Sequence, residues 1–137
     1  MVLFENSIIK LVYEPATDVL EVTYPDLHDY LLPEIKHSIS ILADHVKSFD
    51  VKRLLLDSSR TSVSVGEEES KAISTFLAAE LMKTRLQKLA RLQSASPAIE
   101  SSAEKNITHI KQAGMLPFQL QNFESKPEAL KWLISNI

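Results

Sequence analysis

The stretch from Lys52 to Thr61 constrains the fold more than any other part of the chain. It contains three consecutive leucines, Leu54 to Leu56, between a basic pair and a polar turn. A strand that is covered by helices on both faces has no wet face, so it carries an unbroken apolar run of this kind. We therefore predict that the leucines form the central strand of a mainly parallel sheet. Asp57 to Thr61 then lie at the carboxyl edge of that sheet, where open α/β folds hold their functional groups.

The residues before this stretch predict a hairpin and a helix. Ser7 to Tyr13 and Val19 to Tyr24 are rich in β-branched and aromatic residues, and they flank a turn that contains Pro15. This pattern indicates two antiparallel strands. From about Asp29 to Ser48 the apolar residues recur at the spacing of one helix face, which predicts the first helix.

The segment from Leu86 to Gln93 allows two interpretations. It follows an amphipathic helix predicted from Glu67 to Leu81, and it lacks β-branched residues, so its propensity would let that helix continue. A helix from Glu67 to Gln93 would, however, be about twice the common length. We therefore predict a strand at Leu86 to Gln93.

The remainder of the chain predicts a helix, an edge strand and a last helix. The first of these helices starts at Ser101, which has a capping-box glutamate three residues later, or alternatively at Ser96 before Pro97. Pro117 to Phe123 alternates apolar and polar residues, and Ser125 repeats the capping-box spacing. The fold class is thus α/β in a single domain, with a mixed, mainly parallel sheet, an N-terminal hairpin and the order β-β-α-β-α-β-α-β-α.

Three segments together resemble the SpoIIAA-like family of small bacterial domains, which are of the STAS/SEC14 type. They are Tyr13-Glu14-Pro15, Arg53 to Asp57, and Phe123 to Leu133, in which a Phe and an acidic link precede an Ala-Leu-Lys-Trp-Leu helix. The resemblance covers nearly the whole chain. It implies a compact, cytoplasmic, often self-associating α/β domain with no settled biochemical activity, and it supports a strand at Leu86 to Gln93.

The candidate site on the leucine strand comprises Asp57, Ser58, Ser59, Arg60 and Thr61. In the anti-sigma-factor antagonists that the family name denotes, a serine in an Asp-Ser-Ser-Gly-Leu segment is phosphorylated, and phosphate on Ser58 or Ser59 would act as a charge switch. Arg60 and Thr61 stand here instead of Gly and Leu, which argues against that switch. Asp57 is either a ligand-binding acid or an acceptor for the backbone of its own loop. The hydroxyls and the guanidinium either bind an anion or form a solvated loop.

The residues that the chain lacks exclude several kinds of site. It has no cysteine, so disulfides, thiolate metal sites and cysteine nucleophiles are excluded. Its two glycines are too few for a dinucleotide fingerprint or a Walker loop. Its histidines show no metal-ligand spacing; they are His28, His37, His45 and His109. We therefore expect no metal and no cofactor. Spacing alone leaves a Ser-His-Asp triad open, but the chain has no Gly-x-Ser-x-Gly elbow to present its serine, so we expect no catalytic residue.

The charge and the hydropathy of the chain limit the kinds of partner that it can have. A formal net charge of -3 gives no overall attraction to nucleic acid. The chain has neither a secretory signal pattern nor an apolar run approaching the ~20 residues that span a bilayer, so we expect a cytoplasmic protein without a transmembrane segment. A local basic cluster either serves an acidic partner or a lipid headgroup, or forms a solvated rim; it comprises Lys83, Arg85, Lys88 and Arg91.

These expectations favour a non-enzymatic regulatory or protein-binding module that binds a protein partner or self-associates, for example as a homodimer. The alternative is a carrier or sensor of a small apolar or lipid ligand in a cavity around Phe76, Phe118 and Trp132, as the SEC14 likeness suggests. A cavity of several hundred Å³ would favour the carrier, because pockets for small ligands measure ~300 to 1,000 Å³. A solid core with a large exposed apolar patch would favour the partner binder.

Overall fold

The computed structural model describes residues 1–6, 8–23, 32–59, 67–94, 97–113 and 116–135. They form six strands and four helices. In chain order these are β1 (Val2–Glu5), β2 (Lys10–Glu14), β3 (Val19–Thr23), α1 (Leu32–Ser48), β4 (Arg53–Asp57), α2 (Glu67–Leu81), β5 (Lys88–Leu92), α3 (Pro97–Ala113), β6 (Gln119–Phe123) and α4 (Lys126–Ile134). The α/β class is confirmed. The predicted order is wrong by one strand, because β1 was not foreseen.

The strands lie in one mixed sheet in the order of the sequence, from β1 at one edge to β6 at the other. The first three strands are antiparallel neighbours, and the predicted hairpin is β2 with β3, in which Lys10 lies opposite Thr23 and Glu14 opposite Val19. From β3 to β6 each strand is parallel to the next. The sheet is therefore parallel over one part and antiparallel over the other.

The two faces of the sheet are covered by different helices. Right-handed crossovers between parallel strands that advance in one direction place α1, α2 and α3 on the same face, which we call the three-helix face. Its core includes Leu20 of β3, Ile39 of α1 and Ile73 of α2. A smaller core on the opposite face, the α4 face, contains Leu55 together with Leu133 of α4.

The leucine strand lies between β3 and β5 and is buried on both faces, as predicted. Leu54 and Leu56 point to the three-helix face, and Leu55 points to the α4 face. Leu54 and Leu55 have no exposed surface. Burying a leucine side chain stabilises the fold by about 1.5–3 kcal/mol, so this strand anchors both cores.

The ambiguous segment after α2 is a strand, β5, and all five of its residues are buried. The basic cluster expected around it does not exist as one surface. Lys83 and Arg85 are exposed, whereas Lys88 and Arg91 are buried and belong to opposite faces of the sheet. The interpretation of a solvated rim is therefore wrong for Lys88 and Arg91.

Strand β1 escaped prediction because its sequence signal is short and its turn is made by a side chain. The strand has four residues and its pairing with β2 is interrupted by a bulge between Val2 and Phe4. The Oδ1 atom of Asn6 accepts the backbone N–H groups of Ile8 and Ile9, both at 2.8 Å. An Asn that bonds the backbone two residues on makes a turn without Gly or Pro.

The helices begin and end close to the predicted positions. The earlier of the two starts proposed for α3 is the observed one, since the helix begins at Pro97. The N-cap of α4 is Ser125, whose side chain accepts the backbone N–H of Glu128. Within the described part of the chain, no helix is long and apolar enough to cross a membrane.

Candidate functional site

The three-helix face contains a cavity between α2, α3 and strands β4 to β6. It exists because α3 packs less deeply than its neighbours. Helices α1 and α2 contribute fully buried apolar side chains to the core, whereas the described apolar residues of α3 that face this space are only half-buried. They are Ile99, Ala103, Ile107 and Ile110.

The cavity has a volume of about 100 Å³ and a mainly apolar wall. Leu56, Leu89 and Leu120 form its floor on the sheet, and Phe118 closes one side. The volume is below the ~300 to 1,000 Å³ of pockets for drug-sized ligands, and an apolar cavity of about 150 Å³ is enough for benzene. The space therefore suits one apolar side chain or a molecule of a few carbon atoms.

Polar groups are present along the cavity, and several of them already have partners. The Oγ of Ser58 donates a hydrogen bond of 2.5 Å to the carbonyl of Leu92. The amide of Asn106 donates to Ser70 Oγ at 3.4 Å, and both residues are buried. Ser74 also lines the space. These groups add a few specific contact points to an otherwise apolar surface.

An ion pair holds the N-terminal end of α3 over the sheet beside this cavity. Arg91 of β5 lines the cavity and donates from Nη1 and Nη2 to the two carboxylate oxygens of Glu100, at 2.8 and 2.9 Å. Glu100 also accepts the backbone N–H of Ser94 at 2.8 Å. The parallel two-bond geometry fixes both position and angle, so this pair locates the first turn of α3.

The surroundings of Glu100 lower the pKa of its carboxyl group. Burial acts to raise the pKa, but the hydrogen bonds from Arg91 and from the Ser94 N–H, together with the charge of Arg91, outweigh it. Glu100 is therefore ionised at neutral pH and neutralises the buried Arg91.

The predicted site at the end of β4 is divided between surface and core. The carboxylate of Asp57 accepts the backbone N–H of Ser59 at 3.0 Å and its hydroxyl at 2.6 Å, so it bonds its own loop. Ser58 is buried and lines the cavity, whereas Ser59 is exposed. The other two predicted residues, Arg60 and Thr61, lie outside the described residues.

The three aromatic residues predicted to share a cavity do not come together. Phe118 lines the α2–α3 cavity, and Phe76 is half-buried against the same core without lining it. Trp132 lies on the α4 face, with its ring 5.5 Å from that of Phe123. No strand follows α4 within the described chain, so the crossover rule that places α1 to α3 does not fix the face of α4.

A wider groove of about 550 Å³ lies at the amino-terminal ends of the parallel strands. The first residues of β4, β5 and β6 line it, namely Arg53, Lys88 and Gln119. The Nζ of Lys88 donates to the carbonyls of Trp132 and Ser135 and to Ser135 Oγ. These three acceptors take up all three N–H groups of the ammonium. Lys88 therefore binds the C-terminal end of α4 and has no N–H group left for a ligand in the groove. The apolar cavity between α2 and α3 is therefore the better candidate site.

Sequence reasoning missed the residues that shape this cavity on α3 and β5. The acidic residue Glu100 stands in the first turn of α3, which is a general signal of a helix start and gives no indication of Arg91 as its partner. Among the described residues no group of three or more His, Cys, Asp or Glu side chains could hold a metal ion. Comparison with protein family models, with curated proteins and with solved structures finds no match.

Proposed function

We propose that this protein is a non-enzymatic regulatory binding module of the SpoIIAA-like, STAS type, and that its α2–α3 cavity receives an apolar side chain of a protein partner. The observation that carries the proposal is the cavity itself, which is mainly apolar, about 100 Å³ in volume and bordered by half-buried apolar residues of α3. A hydrophobic pocket of this kind is where the anchor residue of a partner docks.

The size of the cavity favours an anchor residue over a free ligand. The best small ligands gain about 1.5 kcal/mol per non-hydrogen atom, so a molecule of about five such atoms binds at best with a Kd on the order of micromolar. An anchor residue of a protein partner is not limited in this way, because the surrounding interface adds contacts. A sensor of a small, mainly apolar ligand is the second candidate, and the presence of the polar residue Ser74 in the otherwise apolar lining supports it.

The chemistry of the cavity favours binding over catalysis. A serine nucleophile needs an adjacent general base. Among the described residues that line the cavity, Arg91 is the one with an ionisable side chain, and Glu100 engages both of its terminal nitrogens. The lining therefore provides contacts for recognition and no base beside its serines.

Two alanines that are adjacent on α2 provide a matched test. Ala78 lines the cavity, and Ala79 is exposed. We expect peptides selected by display against the wild-type protein to share an apolar anchor residue, and to lose binding to Ala78→Leu, whose larger side chain fills the cavity. Binding to Ala79→Leu should be unchanged. Selected peptides that bind Ala78→Leu as tightly as wild type would contradict the proposal.

Nuclear magnetic resonance with a small probe distinguishes the two candidates. Isobutanol carries the branched carbon skeleton of a leucine side chain and a hydroxyl group. If the protein is a sensor, isobutanol should shift the amide resonances around Leu89 and Ile107 in a saturable way, and Ala78→Leu should abolish the shifts. Peptide binding without saturable isobutanol binding would support the partner anchor.

A further inference from the structure

The edge strand β6 is unprotected, in contrast to the edge strand at the other side of the sheet. Proteins shield exposed edges with charges, prolines, bulges or very short strands. Strand β1 has a bulge, the charge of Glu5 and the Met1 ammonium bonded to the carbonyl of Tyr13. The five residues Gln119–Phe123 of β6 contain no charge and no proline, and their register with β5 is regular.

The backbone of β6 offers hydrogen-bonding groups at its outer side. Gln119 donates its N–H to the carbonyl of Gln87, and the carbonyl of Phe123 accepts from Gln93, each at 2.9 Å. Gln119, Gln121 and Phe123 therefore face β5. Alternate residues of a strand point their N–H and C=O groups to opposite sides, so Leu120 and Asn122 direct theirs outward. No backbone partner for these outward groups occurs among the described residues.

We propose that β6 pairs antiparallel with β6 of a second copy of this chain, about a two-fold axis at Gln121. This register is the one that pairs all five residues of both strands. Leu120 of each copy then lies opposite Asn122 of the other copy. Each of these two residue pairs forms two backbone hydrogen bonds between outward-facing groups, which makes four in all. The two six-stranded sheets then become one continuous sheet. A two-fold symmetric, isologous contact is the commonest arrangement of homodimers.

The central side-chain pair of β6 is self-complementary in this register. Gln121 meets its own copy at a non-hydrogen-bonded position, where opposite Cα atoms are about 4.5 Å apart. A glutamine amide has both donors and an acceptor, so the two can bond each other, and the side chain of Gln121 is exposed and free to do so. No like charges oppose one another, because the strand carries none. The proposal is independent of the α2–α3 cavity.

Opposite charges at the two-fold axis test both the dimer and its register. The contact covers one strand per copy and is therefore small, so we expect a wild-type dimer with a Kd on the order of 10–100 µM by sedimentation velocity. Gln121→Lys and Gln121→Glu should each raise the Kd roughly tenfold or more, because like charges then face each other. A 1:1 mixture should dimerise at least as well as wild type. Gln112→Lys on the exposed face of α3 is the matched control and should not change the Kd.

Hydrogen exchange locates the contact independently of any substitution. In wild-type protein the amides of Leu120 and Asn122 should exchange more slowly as the protein concentration rises. The amide of Gln121 belongs to the ladder with β5 and should show no such change.

Three results would overturn the proposal. They are wild-type protein that stays monomeric up to about 1 mM, a dimer that both Gln121 variants form separately as tightly as wild type, and a dimer without concentration-dependent protection of Leu120 and Asn122. If the wild-type protein stays monomeric, β6 would instead be free to pair with an extended peptide of another protein.

Discussion

Replacing Lys88 by methionine should destabilise the protein by loosening α4 from the sheet. Lys88 is 6% exposed, and its ammonium donates to Trp132 O at 2.8 Å and to Ser135 O and Oγ at 2.9 Å. These carbonyls end α4, so the cation also faces the negative end of the helix dipole. The Nζ lies 5.0 Å from the centroid of the Trp132 ring. Methionine fills a similar space and removes all of these contacts.

The size of the effect follows from those contacts. A hydrogen bond to a charged group contributes about 1.5–3 kcal/mol, and an uncharged side chain recovers part of the cost of burying the ammonium. Trp132 O keeps its bonds from the N–H and the hydroxyl of Ser135, so it is not left without a donor. We therefore expect Lys88→Met to lower the free energy of unfolding by about 2 kcal/mol. With a slope of about 2 kcal/mol per molar urea, the midpoint should fall by about 1 M.

Urea unfolding followed by tryptophan fluorescence measures this directly, because Trp132 is the single tryptophan of the chain. Lys126→Met is the matched control. Lys126 pairs with Glu21 at 2.9 Å, but its side chain is 48% exposed, and exposed ion pairs contribute about 0–1 kcal/mol. Equal midpoints for the two variants would refute the reasoning that Lys88 holds the end of α4.

Two further predictions concern ionisable groups. Because the folded pKa of Glu100 is lowered, its contribution to stability is present above its unfolded pKa of about 4.3 and is lost as the pH falls through the folded value. The difference in unfolding free energy between wild type and Glu100→Gln should thus shrink from pH 7 to about pH 3; a constant difference would contradict this. The hydrogen bond from Tyr13 to Asp18 (2.7 Å), burial, and the charges of Asp18 and Asp50 raise the pKa of Tyr13 to about 12. Its contribution is present below pH ~10 and is lost as the pH rises through the folded value. Asp18→Asn should return the pH midpoint of Tyr13 ionisation, followed by phenolate absorbance, toward its ordinary value of ~10, and an unchanged midpoint would argue against the role of Asp18.

The elements with strong local signals were predictable from the sequence. The apolar run of Leu54–Leu56 predicted a strand with both faces covered, and the cap at Ser125 marked the start of α4. Length and resemblance, rather than propensity, predicted β5. Its burial on both faces explains why it forms without β-branched residues, because packing replaces intrinsic preference in a central strand.

The candidate site could be predicted only in part. Ser58 and Phe118 were candidate residues and both line the cavity, but its shape depends on contacts between distant parts of the chain. The sequence places Arg91 among exposed basic residues, and only the fold brings Glu100 of α3 over it. Lys88 reaches Trp132 across 44 residues of sequence. Hydrophobic periodicity shows that α4 has an apolar side but not which face of the sheet it covers. The position of Trp132 on the α4 face could therefore not be predicted either. Single-sequence patterns report which residues are apolar, and not which element lies beside them.

The placement of α4 has a consequence for the order in which the domain is completed. Helices α1 and α2 are each followed within a short connection by a strand of the sheet. The three-helix face is therefore assembled from segments close in sequence, and such contacts form early in folding. The α4 face is different, because α4 emerges from the ribosome after every strand that it covers. Until then Val19, Leu55 and Leu92 have no helix over them. The nascent sheet therefore exposes an apolar stripe until α4 docks, and this interval is when a chaperone or an aggregating neighbour can bind it.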